Sequence, residues 1–157
     1  MTIHEESDQR SQPLFEELQV WHAFLLRKAS QRVTEMAEAR LARLGITLRQ
    51  FGILSVVATE PGLNQRVVGG KLRIDRTTIV SLVDDLERAE LIERRRGSDR
   101  RTFALHLTDR GQVLIDQARN SLAQVHQAFL GPLSADEAAT LRSLLMHLVD
   151  DGGAQDE

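Results

Sequence analysis

The sequence predicts a mainly α fold carrying one small β-hairpin, and three observations lead there. Apolar residues recur at helical spacing over most of the chain. Thr47, Asn64, Asp75, Thr108 and Ser134 each stand where a helix would need an N-cap. One stretch, Thr102-Phe103-Ala104-Leu105-His106-Leu107, instead collects β-prone residues in partial alternation behind a Gly97-Ser98-Asp99 turn. With 157 residues, 41% of them apolar, the chain is large enough for one domain to bury a core without a covalent staple.

Residues 14–44 contain neither Pro nor Gly. Leu14, Leu18, Trp21, Leu25 and Ala29 form one apolar stripe beside a second at Phe15, Leu26, Val33, Ala37, Leu41 and Leu44. One long helix covered from two sides is expected, closed by Gly45. Thr47 and Gln50 read as a capping box for a second helix bearing Phe51, Ile53, Leu54 and Val57, which Glu60-Pro61-Gly62 stops. Asn64 opens a short helix to Leu72, and Asp75 opens another with Ile79, Leu82, Val83, Leu86 and Ala89 on its apolar side. Leu91 and Ile92 then enter a two-stranded hairpin with an Arg-rich tip. Thr108 caps a long helix to about Leu130, with Leu114, Ala118, Leu122, Val125 and Phe129 on one face. Gly131-Pro132 breaks it, and a Ser134/Glu137 capping box begins a last helix carrying Ala138, Leu141, Leu145 and Leu148.

The formal charge of -3 hides an uneven distribution. Between 64 and 101, ten Lys and Arg face seven Asp and Glu, so this stretch is +3 and the rest is -6. The segment from Arg94 to Arg101 holds five Arg and one Asp in eight residues. An Arg-rich turn is ordinarily a solvated one. Here it follows a helix, a tight turn and a second helix, and that succession is a winged helix-turn-helix: the second helix enters the major groove of duplex DNA and the wing the adjacent minor groove. The whole is then a winged helix-turn-helix lobe, 47–107, on a helical dimerisation bundle built from 14–44 and 108–150.

The DNA-facing candidates follow from that placement. Arg76, Thr77 and Thr78 occupy the first turn of the second helix, where side chains and the positive helix end meet phosphates and base edges, and Ser81 lies one turn on. Gln65 and Arg66 begin the first helix of the pair. Arg94, Arg96 and Ser98 lie along the wing, and Arg100 or Arg101 at its tip suits a narrow minor groove. Asp99 would repel phosphate, so it is expected to pair with one of these Arg and fix its direction.

Asp75-Arg76-Thr77-Thr78-Ile79-Val80-Ser81-Leu82-Val83-Asp84-Asp85-Leu86-Glu87, then Leu91-Ile92, then Asp99-x-Arg101-x5-Leu107-Thr108-x2-Gly111, resemble the recognition-helix and wing signature of the MarR family of bacterial transcriptional regulators. The resemblance spans about 14 to 150. It implies an obligate homodimer on a pseudo-palindromic operator of double-stranded DNA, usually repressing, and often released by a small anionic aromatic or phenolic effector. It also implies that Arg101 pairs with Asp99 and leaves Arg100 to reach DNA. Two features depart from the pattern: Gly69-Gly70 inside a helix, and Arg73 in the turn where glycine is common.

An effector crevice between bundle and lobe is expected to draw on Trp21, His22, Leu25, Phe51 and Leu54, with ordinary core packing as the competing account. The absence of Cys excludes disulfides, thiolate metal sites and the family's thiol-based sensing. His4, His22, His106, His126 and His147 never fall at metal-ligand spacing, and no HExxH, GxSxG or P-loop pattern occurs, so neither catalysis, metal nor cofactor is expected. The polar N-terminus and the lack of a long apolar run point to the cytoplasm. The adjacent acids Asp84-Asp85 read as solvated charges. The rival from another class is a ligand-binding or protein-interaction module on the same fold without DNA affinity.

Overall fold

The computed structural model describes residues 16–97 and 102–150; Leu14, Phe15, the wing-tip residues Ser98, Asp99, Arg100 and Arg101, and the tail after Asp150 lie outside them. The elements run α1 (Glu16–Gln19), α2 (His22–Ala42), α3 (Leu48–Thr59), α4 (Gln65–Lys71), α5 (Arg76–Arg88), β1 (Ile92–Arg96), β2 (Phe103–Leu107), α6 (Asp109–Leu130) and α7 (Ala135–Asp150).

The expected first helix is broken. Val20 and Trp21 interrupt it, and Trp21 stands at the N-cap of α2 with φ -94° and ψ 108° and no side-chain cap. β-branched Val and aromatic Trp are weak helix formers, and here packing does not compensate, because Val20 is 72% and Trp21 64% exposed. Only the far end of α2 joins the core, through Ala37 and fully buried Leu41. Among the described residues, the N-terminal part of this helix is not covered on both sides.

The caps are where the sequence places them. Thr47 and Gln50 close a reciprocal capping box, Asn64 accepts from the Val67 N–H at 3.0 Å, and Ser134 and Glu137 exchange hydrogen bonds at the start of α7. Gly45 and Gly62 take the left-handed backbone that their turns require, with φ 76° and 94°.

The core lies between α2, α3 and α6 and continues under the α4–α5 pair. Leu41, Ile53, Leu54, Ile79, Leu86, Ile92, Leu105 and Ile115 are all fully buried in it. β1 and β2 are antiparallel, with Ile92 opposite Leu107 and Arg96 opposite Phe103. The Gly62 N–H donates to the Leu105 carbonyl at 3.0 Å and the Leu105 N–H to that of Leu63 at 2.9 Å, so the α3–α4 loop ties into the free edge of β2. The loop's polar composition gave no sign of this pairing.

Gly111 explains part of the signature. A Cβ there would overlap the Leu91 carbonyl oxygen, so only glycine lets α6 start this close to the base of the wing. Thr108 fastens the same joint: its hydroxyl donates to the Glu90 carbonyl at 2.6 Å and accepts from the Gly111 N–H at 2.9 Å.

Candidate nucleic-acid interface

The α4–α5 pair is held by a tight turn. Ile74 N–H donates to the Gly69 carbonyl at 2.9 Å, and Arg73 adopts the left-handed conformation, φ 52°, in the place where glycine is common. The departure is thus one of residue type and not of turn geometry. A Cβ on Gly69 would lie 3.3 Å from the Ile74 carbonyl and from the Ile79 side chain, so its smallness serves close helix packing; Gly70 faces open space and nothing in the structure requires it.

Asp75 caps α5 by accepting from the Thr78 N–H at 2.9 Å. Hydrogen bonding from the Thr78 side chain, and next from its N–H, holds the carboxyl below the usual range. Ile79, Val83 and Leu86 bury one face of α5, which turns Arg76, Thr77 and Ser81 outward and leaves Thr78 half-buried beside them. Gln65 and Arg66 begin α4 alongside. A groove of about 560 Å³ between the two helices is lined by Gln65, Arg66, Gly70, Arg76 and Val80. A second, also about 560 Å³, runs from Asn64, Gln65 and Arg66 to Arg94, Phe103 and Leu105 under the wing. Arg66 and Gln65 stand between the two grooves. Arg66, Arg76 and Arg96 are exposed and have no carboxylate partner among the described residues, whereas Arg88 pairs with Asp85 and Arg95 with Glu93.

Arg94 differs from its neighbours. Its guanidinium is gripped by Asp84 and Glu87 of α5 and reaches the Gln65 side chain at 3.3 Å. Burial lowers its pKa, but the hydrogen bond to Asp84 and the charge of Glu87 outweigh that and leave it raised. Asp84 is accordingly not the free solvated charge its sequence position suggests. The signal was present: Asp84 and Glu87 are one turn apart on the helix face that meets the hairpin.

The effector candidates are not drawn into one crevice within this chain. Leu54 is fully buried and Phe51 half-buried against the core, while Trp21 and His22 are exposed at the start of α2. Leu25 lines a shallow cavity of about 560 Å³ with Lys28, Arg32, Glu35 and Phe129.

Residues 44–102 match the sequence pattern of the MarR family. A Thauera aromatica protein named for regulation of the hcr operon is 35% identical over 105 residues, 66% of this chain and 63% of its own length. The regulator MgrA of Staphylococcus aureus is 31% identical over 104 residues, 66% of this chain and 69% of MgrA. This chain belongs to the MarR family. Solved MarR-family structures agree over more of its length. CouR, a transcriptional repressor seen bound to a 23-mer DNA duplex, superposes with TM-score 0.79 at 31% identity, over 88% of this chain and 99% of CouR. PcaV of Streptomyces coelicolor superposes with TM-score 0.73 at 31% identity, over 85% and 98%. The winged helix-turn-helix fold of the MarR family is therefore the fold of this chain, and its members are DNA-binding transcriptional regulators, not enzymes.

Proposed function

We propose that this MarR-family protein is a cytoplasmic homodimeric repressor that reads a pseudo-palindromic operator and is released by a small aromatic or anionic effector. The observation that carries the DNA reading is the set of exposed guanidiniums, Arg66 and Arg76 at the starts of α4 and α5 and Arg96 on the wing, which have no carboxylate partner among the described residues on a chain of net negative charge. Thr77, Thr78 and Ser81 supply hydroxyls and methyls for base edges, and in sequence Ser98, Asp99, Arg100 and Arg101 are the candidates for the minor groove. CouR, solved on a DNA duplex, supports DNA binding for this protein. PcaV has been solved with its natural ligand, which supports an effector for this protein too. Its site would adjoin Trp21, His22 and Leu25, completed by a second copy.

A salt titration tests the DNA reading. A regulator that neutralises several phosphates loses affinity linearly in log salt with a slope near -0.9 per contact. A flat, salt-insensitive response to duplexes enriched from genomic fragments would favour the interaction-module alternative. For the effector, Trp21 is the chain's single Trp, so its emission reports binding nearby. Titration with salicylate-like acids should change that emission and lower DNA affinity together.

A further inference from the structure

Three pieces of the DNA-reading surface meet on one side chain. Arg94 leaves β1 of the wing, grips Asp84 and Glu87 of α5, and donates to the Gln65 side chain at the first residue of α4. Its own backbone N–H donates to Glu87 as well, at 3.3 Å. The Arg94 side chain is 21% exposed against 59% for Arg95 in the neighbouring Arg95–Glu93 pair, so its guanidinium is the less screened of the two although the carboxylates are similarly exposed. A planar guanidinium suits the place because it can face two carboxylates and an amide at once, which a lysine ammonium on a flexible stem cannot hold in fixed directions.

By sequence Arg94 belongs with the phosphate-seeking arginines of the wing. Two carboxylates already offset its single charge, and reaching a phosphate would strand both of them beside a polyanion. We infer that Arg94 is a positioning residue: it locks the wing to the recognition helix and to the start of α4, so that the groove-reading parts engage DNA as one rigid piece. Asp84 and Glu87 then favour DNA binding although they carry the charge DNA repels. The inference rests on the DNA-reading function of the lobe and adds how that lobe is held in shape.

The sign of one effect separates this role from a direct contact. In the full-length protein, Asp84→Asn with Glu87→Gln removes two negative charges near the interface. Electrostatics alone predicts tighter binding, and tighter still if Arg94 is thereby freed to meet a phosphate. A brace predicts the opposite: weaker binding, by about tenfold, to a duplex that the parent protein selects from a random pool. Asp84 and Glu87 are 45% and 40% exposed, so thermal unfolding of the variant should confirm an intact fold. If the double variant does not fold, Asp84→Asn alone carries the same comparison. Arg94→Lys gives an independent reading, since lysine replaces arginine at a phosphate but not at this three-way junction. It too should weaken binding while folding persists. Binding that is unchanged or tighter in Asp84→Asn/Glu87→Gln, or unchanged in Arg94→Lys, overturns the inference. A parent protein with no salt-dependent DNA affinity would instead defeat the DNA reading itself.

Discussion

At the scale of single residues the chain depends on positions whose chemistry has no substitute. Gly111 is the sharpest case, because the Leu91 carbonyl occupies the space any Cβ would need. Gly111→Ala should destabilise by at least ~1 to 3 kcal/mol, the usual cost of an extra methylene in a packed site, and by more if the backbone cannot yield. Chemical denaturation checks this; an Ala variant as stable as the parent would contradict the joint between α6 and the wing. Asp75 allows a test by pH. Its folded pKa lies below the ordinary value, chiefly through the Thr78 hydrogen bond, so the cap stabilises above the unfolded pKa and is lost as pH falls through the folded one. The difference in melting temperature between parent and Asp75→Ala should therefore be largest near neutrality and shrink only as the pH falls below the ordinary aspartate value of about 3.9. A difference that persists in acid would mean the charge is not what caps α5.

At the scale of elements, what could be read in the sequence is what local chemistry decides. Thr47, Asn64, Asp75, Thr108 and Ser134 cap the helices they were expected to cap, because a cap is a contact with a residue three positions on. The Gly62–Leu105 pairing was not legible, since it joins segments that only the fold brings together, and of the Arg94 junction the sequence showed only the shared helix face of Asp84 and Glu87, not the reach to Gln65. The break at Val20–Trp21 escaped for a related reason: apolar periodicity says which face wants cover, not whether its own chain supplies it. Within the DNA-reading unit, helix and wing should fail differently. Thr77→Ala removes a hydroxyl and methyl from the exposed first turn of α5 and should relax sequence preference while leaving nonspecific affinity nearly intact. Arg100→Ala should cost ~1 to 3 kcal/mol and shallow the salt slope by about one unit if a phosphate contact goes with it. Competition between selected and random duplexes distinguishes the two. Equal losses for both variants on both duplexes would mean helix and wing do not divide the work.

At the scale of the molecule, one chain leaves two sets of apolar side chains in water. Leu18, Trp21, Leu25 and Leu26 are exposed near the N-terminus, and on α7 Leu144, Met146, Leu148 and Val149 are 50 to 72% exposed. A cavity of about 530 Å³ lined by Phe129, Leu130, Leu141, Leu145 and Val149 joins α6 to the latter set. Contiguous apolar surface of this kind is costly in a monomer and is the usual material of an obligate interface. A second copy offers the matching surface by symmetry, and its stripe would supply the cover that α2 lacks. In such a dimer, two recognition helices set ~34 Å apart would read half-sites one helical turn from each other. Deleting residues 134–157 should therefore abolish dimerisation and operator binding together, although every DNA-facing candidate named above remains in the truncated chain. Light scattering would report the mass and a mobility-shift titration the affinity. A truncated protein that is monomeric yet binds the operator like the parent would show that α7 serves assembly but that operator reading does not need the dimer.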